Sequence, residues 1–203
     1  MALRVAVVFY SMDGHIEKLA QAELRGIQSA GGTADLFQFE GNLLIDVLMK
    51  SDDPPKSSVL FVKPEQLFEY DAVLFGIPTC CDNFPSQWKA FWDITSNIWA
   101  SGRLWTKYAG VFVSTYPQRG NEEAICIAAM NTLTYHGLTY VPAGYKSGVS
   151  HFIHLDETQT GSAWGASSYS GADGSVPPSE FELQVAEIQG KSFYEYVTKI
   201  KSL

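Results

Sequence analysis

The sequence has few cysteines, no cluster of basic residues and no long apolar run at its amino end. Its three cysteines are too few and too irregularly placed for a disulfide framework, which favours a reducing cytoplasm. The formal charge of -8 argues against a nucleic-acid partner, because phosphates would repel an acidic surface. A basic segment followed by a long apolar run is also missing, so neither a signal peptide nor a membrane span is expected.

The chain does have enough apolar material for a full core. Of its 203 residues, 46% are hydrophobic and 18% are charged, a balance that is typical of compact globular proteins. Its length fits one domain covering 1–203. No internal repeat is visible.

Apolar runs alternate along the chain with segments of helical periodicity. Strands are predicted at 3–10, 33–39, 71–78, 108–115 and 138–145. Helices are predicted at 15–30, 85–100 and 121–136, and after a capping box formed by Ser179 and Glu182. The strands are apolar without strict alternation, as in strands covered on both faces. This order predicts an α/β fold, a doubly wound five-stranded parallel sheet with helices on both faces.

Two stretches depart from that pattern. Residues 41–66 contain SDDPPKSSV and are interpreted as an exposed excursion around a short helical piece. Residues 146–178 are rich in glycine, serine and alanine, with isolated aromatics. A patternless segment of that length usually covers a site or an interface. A surface loop without such a role remains the alternative.

The stretch YSMDGHI, residues 10–16, lies where the first strand hands over to the first helix. Ligands of open parallel sheets bind beyond the carboxyl ends of the strands, and a helix start offers free amides and a positive dipole end. Gly14 permits close backbone approach, while Ser11 and His15 supply donors. The stretch is neither a GxGxxG nor a Walker motif, so a plain turn with Asp13 as N-cap remains an alternative.

The same stretch closely resembles the YS-x-x-GHI opening of the WrbA-type NAD(P)H:quinone oxidoreductases, a flavodoxin-like family that binds FMN. The likeness covers essentially the whole chain and includes YDAVLFGIPT, NFPSQWKAFWD, GADGS and LQVAEIQGKSFYE. The wording of FPSQWKAFWD and LQVAEIQGKSFYE is most similar to the fungal branch. The chain is therefore identified as a member of this family, which implies a flavodoxin-like sheet.

The resemblance also implies which residues contact FMN. These are Ser11, Met12, Gly14, His15 and Ile16 around the phosphate, Pro78, Thr79 and Asn83 along the ribityl chain and isoalloxazine, and Ser114, Thr115, Gly120 and His136 along the edge of the flavin. The family activity is two-electron reduction of a quinone by NAD(P)H through FMN. Dimers or tetramers, in which a neighbour completes the flavin site, are implied as well.

Two residues are implied to act on the substrate. Trp99 matches the aromatic residue that walls the substrate side, and His136 could donate a hydrogen bond or proton to the forming quinol oxygen. The residues alone leave other roles open. Trp99 would also serve as a packing residue of the core, and His136 as a cation at a helix end that interacts favourably with the helix dipole.

The chain departs from the family pattern at the flavin. Cys80, Cys81 and Asp82 stand where the family has an arginine, an aromatic and a glycine, and residues 116–120 read YPQRG instead of a glycine-rich loop. Asp13 replaces a common aromatic of the first loop. Each lost flavin hydrogen bond costs about 1 kcal/mol, so two or three losses weaken binding roughly a hundredfold.

These departures leave three functions in competition. The first is a cytoplasmic FMN-dependent quinone reductase, weakened by the changes. The second is a flavin-poor scaffold protein, peripheral at the plasma membrane, where fungal relatives are found. The third is a one-electron carrier, which would not need residues 146–178. The adjacent cysteines are interpreted as ordinary thiols, because no metal-ligand spacing connects them with His151 or His154.

Overall fold

The computed structural model describes residues 3–11, 13–40, 58–79, 83–116, 122–145, 162–171 and 173–203. Within these ranges one parallel sheet contains seven strands. They are β1 Val5–Phe9, β2 Ala34–Gln38, β3 Leu60–Phe61, β4 Ala72–Pro78, β5 Tyr108–Thr115, β6 Thr139–Tyr140 and β7 Ser167–Tyr169. Their order is β3-β2-β1-β4-β5-β6, and β7 also pairs with β5.

Five α-helices and one 3-10 helix connect the strands in the described part of the chain. The α-helices are α1 His15–Ser29, α2 Ser86–Asp93, α3 Ser96–Ser101, α4 Glu122–Tyr135 and α5 Glu180–Lys201, and the 3-10 helix is Pro64–Glu69. The predicted capping box is confirmed, because Ser179 and Glu182 bond to each other's backbone N–H. Within the described ranges, every helix is too short or too polar to cross a lipid bilayer.

The single helix predicted at 85–100 is wrong in one respect, since it is two helices. Residues 94 and 95 separate α2 from α3, and the Thr95 hydroxyl donates to the carbonyl of Trp92 at 2.6 Å. Threonine competes in this way for backbone carbonyls at helix ends. The apolar spacing continues through the break, so periodicity alone does not reveal it.

The five predicted strands are present, with two short additions, β3 and β7. The strand predicted at 138–145 is shorter than expected: β6 pairs with Tyr108 and Ala109, whereas β7 pairs with β5 from Val113 to Thr115. One side of β5 is therefore covered by two pieces of chain that are far apart in sequence. β7 is serine-rich, and its composition gives no strand signal.

Apolar side chains form a core on each face of the sheet. One core contains Phe75 with Trp88 of α2, and the other contains Phe9 with Leu19 of α1 and Phe193 of α5. This arrangement confirms the α/β prediction with helices on both faces. Between β1 and β4 the chain order reverses, because β2 lies on one side of β1 and β4 on the other. Such a switch point leaves a crevice at the carboxyl ends of the strands.

Candidate functional site

A small cavity lies at the switch point, beyond the carboxyl ends of β1, β4 and β5. Eight described residues line it: Ser11, Asp13, His15, Ile16, Pro78, Ser114, Tyr116 and Ser170. Five of them, Ser11, His15, Ile16, Pro78 and Ser114, belong to the predicted cofactor site. We call this cavity the mouth.

The start of α1 provides the amide-rich wall of the mouth. Gly14 is the N-cap, with φ 79° in the left-handed region, and no side chain of the described residues caps the helix. The interpretation of Asp13 as N-cap is therefore wrong. The Gly14 N–H donates to the Ser11 hydroxyl at 3.0 Å, which bends the loop around the helix start. First-turn amides and the positive end of the helix dipole then face the mouth.

His15 fastens a second piece of chain to this wall. The ring is buried, and its Nε2 lies 2.7 Å from the carbonyl oxygen of Val176. A carbonyl only accepts, so Nε2 carries the hydrogen. This bond holds the turn before α5 over the start of α1, at the edge of the mouth.

The floor of the mouth is held by backbone bonds between neighbouring strand ends. The Thr79 N–H donates to the Ser114 carbonyl at 2.8 Å. The Thr115 carbonyl accepts from both the N–H and the hydroxyl of Ser170, at 2.9 and 3.1 Å. Ser170 was not among the predicted site residues. Its only signal was its position in the serine-rich segment that was suspected of covering a site.

A hydrogen-bonded pair, Asp13 and Tyr116, lies across the opening of the mouth. The Tyr116 hydroxyl donates to Oδ2 of Asp13 at 3.1 Å. Gly174 lies against the same carboxylate: a Cβ added there would come within 3.2 Å of Oδ2. With the pair in place the cavity measures about 10 Å³, room for about one water molecule.

Other predicted site residues lie outside the mouth. Asn83 is exposed, and its side-chain oxygen accepts from the Phe84 N–H at 2.8 Å. Met12 and Gly120 fall outside the described residues, as do the departures at 80–82 and 117–119.

Trp99 and His136 line a second, more open cavity of about 200 Å³ together with Trp92, Thr95 and Tyr135. The His136 ring packs on the Trp92 indole with centroids 4.7 Å apart. The chain passes directly from His136 into β6, which pairs with the first two residues of β5. This cavity, which we call the aromatic cavity, therefore lies towards the amino ends of the strands.

The two cavities are separated by the length of β5. Its eight residues at about 3.3 Å each put the strand ends about 20 Å apart. The mouth is at one end and the aromatic cavity is towards the other. A ligand along the carboxyl edge would not touch the Trp99 or His136 of its own chain.

The mouth fits the terminal phosphate of a nucleotide in its donors. Helix amides and the hydroxyls of Ser11 and Ser114 are groups that hold phosphates, whereas the Ser170 hydroxyl already donates to the Thr115 carbonyl. Asp13 is the one acidic side chain among the described lining residues. The mouth therefore matches a phosphate in its donors, whereas its volume of about 10 Å³ with Asp13 and Tyr116 bonded leaves no room for one.

Comparison with known proteins shows the family to which the chain belongs. The family model described as NADPH-dependent FMN reductase matches residues 4–151. The chain is 53% identical over 201 residues to minor allergen Alt a 7 of Alternaria alternata, covering 98% of each chain. It is 45% identical over 199 residues to NAD(P)H quinone oxidoreductase PST3 of Candida albicans, covering 98% of this chain and 100% of that one.

A solved structure shares the fold. The flavodoxin, WrbA-like protein from Agrobacterium tumefaciens superposes with a TM-score of 0.66 at 21% identity, covering 98% of this chain and 99% of that one. The matched family model and the fungal relatives together show the family of the chain. The chain belongs to the NADPH-dependent FMN reductase family, together with fungal proteins named NAD(P)H quinone oxidoreductase.

Proposed function

We propose that this chain is an FMN-dependent NAD(P)H:quinone oxidoreductase. One observation carries the proposal: the helix start at left-handed Gly14 meets the hydroxyls of Ser11 and Ser114 at the switch point of the sheet. That is the donor set and the place expected for the phosphate of a flavin nucleotide. The names of several fungal relatives, NAD(P)H quinone oxidoreductase, support the same activity.

A bound FMN would supply the two-electron hydride chemistry that connects NAD(P)H with a quinone. The chain's own residues place and shield that chemistry. Ser11, Gly14 and the first amides of α1 would hold the phosphate. Pro78 and Thr79, at the end of β4, would border the rest of the cofactor.

The flavin site is completed by a second copy of the chain. Trp99 and His136 are about 20 Å from the mouth of their own chain along β5, so they can border a flavin only if it belongs to a neighbour. Their surroundings suit such a contact, because Trp99 and Tyr135 are 55% and 73% exposed beside the aromatic cavity. Exposed aromatic patches are typical of association surfaces. The quinone would stack against Trp99 across the interface.

We also propose that the protein works in the cytoplasm. Burial raises the pKa of the Cys126 thiol to about 12, with the neighbouring acidic Glu122 adding to the effect. This thiol is therefore an unreactive core group rather than part of a disulfide framework. Any membrane contact would be peripheral.

The activity is tested on purified protein. A yellow protein whose flavin absorbance bleaches with NAD(P)H and returns with benzoquinone supports the proposal. A colourless protein that binds no added FMN at micromolar concentration contradicts it.

The second outcome would favour a scaffold role for the same fold. The specific observation behind that alternative is the size of the mouth, which has room for about one water while Asp13 and Tyr116 are bonded.

A further inference from the structure

The Asp13–Tyr116 hydrogen bond has no counterpart in the cofactor chemistry described above. Asp13 follows β1 and Tyr116 follows β5, so their bond at 3.1 Å joins two loops that are 103 residues apart in sequence. Both side chains line the mouth. The pair therefore occupies the space that a flavin phosphate has to enter.

We propose that Asp13 and Tyr116 are specificity-determining residues that reduce this chain's preference for the phosphorylated flavin. The inference rests on the proposed function, since it concerns the choice between FMN and riboflavin at the same site. The two flavins differ only in the phosphate, so a contact at the phosphate end changes the ratio of their binding affinities. We call the bonded pair the latch.

Asp13 acts through its charge. A phosphate among the amides of α1 would lie near its carboxylate, and like charges at that range repel at a protein surface. The carboxylate accepts from Tyr116 on one side and meets Gly174 on another, where a Cβ would lie 3.3 Å from its Cγ. Gly174 has φ 73°. Contacts from two loops thus keep the acid facing the mouth.

Tyr116 acts through its hydrogen bond. Without that bond, the exposed Asp13 side chain could rotate towards water and leave the mouth to the phosphate. Opening the latch is therefore a step that FMN has to drive with its binding free energy. Riboflavin has no phosphate and binds without opening the latch, which lowers the FMN preference.

The test measures dissociation constants for FMN and for riboflavin by quenching of flavin fluorescence. The variants are Asp13→Asn, Tyr116→Phe and the double variant. Glu195→Gln and Tyr196→Phe are matched controls, because both residues are exposed on α5, away from the mouth. Thermal unfolding of each flavin-free variant establishes that it is folded.

We expect Asp13→Asn to tighten FMN binding roughly tenfold and Tyr116→Phe roughly threefold, with riboflavin unchanged in both. The double variant should gain less than the product of the two factors, because the residues act through one contact. Both gains should shrink as salt is raised, because each depends on the repulsion between the Asp13 carboxylate and the phosphate.

Two results would overturn the latch. One is an unchanged ratio of FMN to riboflavin affinity in both single variants. The other is a gain in Asp13→Asn alone, which would leave a simple charge effect without the hydrogen-bonded device. If no variant, including the double one, bound either flavin, the proposed function would fail together with the latch. If instead every variant bound FMN equally well, only the latch would be contradicted.

Discussion

The hydroxyl oxygen of Thr95 lies 2.8 Å from Nε2 of His136. The other ring nitrogen, Nδ1, lies 2.9 Å from the carbonyl oxygen of Thr132. That carbonyl only accepts, so Nδ1 carries a hydrogen and Nε2 faces Thr95. Both nitrogens of the histidine are therefore engaged within the chain.

Removing His136 should lower quinone turnover if it acts on the substrate. We expect His136→Ala to reduce kcat/KM for benzoquinone roughly 100- to 1000-fold, the usual range for losing a proton donor or strong hydrogen bond. Thr95→Ala should reduce kcat by a smaller factor, because the ring remains but loses its anchor. Stopped-flow oxidation of the reduced protein measures both. Thr134→Ala, on the exposed side of α4, is the control. Wild-type turnover in His136→Ala would remove this residue from the site.

A site shared between copies should be restored by mixing two inactive variants. Gly14→Val places a β-branched residue at φ 79° and should prevent FMN binding, while Trp99→Ala removes the substrate wall. In a two-fold symmetric dimer that contains one copy of each variant, one of the two sites keeps both parts intact. Co-expression with different tags and an activity assay of the doubly tagged species measure this recovery. Activity no higher than the sum of the separate variants would contradict the shared site.

The buried carboxyl of Glu23 should make stability fall as pH rises. Burial raises the pKa of Glu23 well above 4.5, and neither side-chain oxygen has a hydrogen-bond partner among the described residues. The folded chain keeps this proton above pH 4.5, whereas the unfolded chain loses it. Stability should thus decline by about 1.4 kcal/mol per pH unit above that value, up to the folded pKa.

Urea unfolding between pH 5 and 8 tests this slope. Glu23→Gln should flatten it, because the amide does not ionise, while Glu195→Gln on the surface should leave it unchanged. An identical slope in wild type and Glu23→Gln would show that Glu23 does not hold its proton in the folded chain.

Gln189 should stabilise the contact between β5 and the chain that leads into β7. Its amide nitrogen donates to the Val111 carbonyl at 2.9 Å, and its amide oxygen accepts from the Ala166 N–H at 2.7 Å. Gln189→Ala leaves both buried backbone groups unpaired, so we expect a loss of about 2–4 kcal/mol in the free energy of unfolding. Since β7 leads to Ser170, FMN affinity should fall as well. Gln184→Ala, exposed on the same helix, is the control in urea unfolding. Equal stability in the two variants would contradict the role of Gln189.

Much of the fold was predictable because local patterns carry it. The apolar runs of β1, β4 and β5 match strands buried on both faces, and Ser179 with Glu182 marked the start of α5. β7 could not be predicted, since its serines have low strand propensity. It is a strand because Gly165 allows the chain to approach the Val111 carbonyl, where a Cβ would come within 2.0 Å.

Only part of the candidate site could be predicted from the sequence. The stretch from Ser11 to Ile16 was predicted because a strand-to-helix junction is local in sequence, and the resemblance supplied Pro78 and Ser114. Ser170 and the bond between Tyr116 and Asp13 were not predicted. Each depends on loops that meet only when distant strands align, which no local pattern encodes.

The amino-acid sequence by itself determined the order of strands and helices and the family, because hydrophobic periodicity and short motifs depend on neighbouring residues. Only the tertiary structure decided that Asp13 meets Tyr116 over the mouth, and that Trp99 and His136 lie towards the opposite edge of the sheet. Those relationships arise from packing between segments up to 103 residues apart. Their free energies depend on distance and burial, which exist only once the chain has folded.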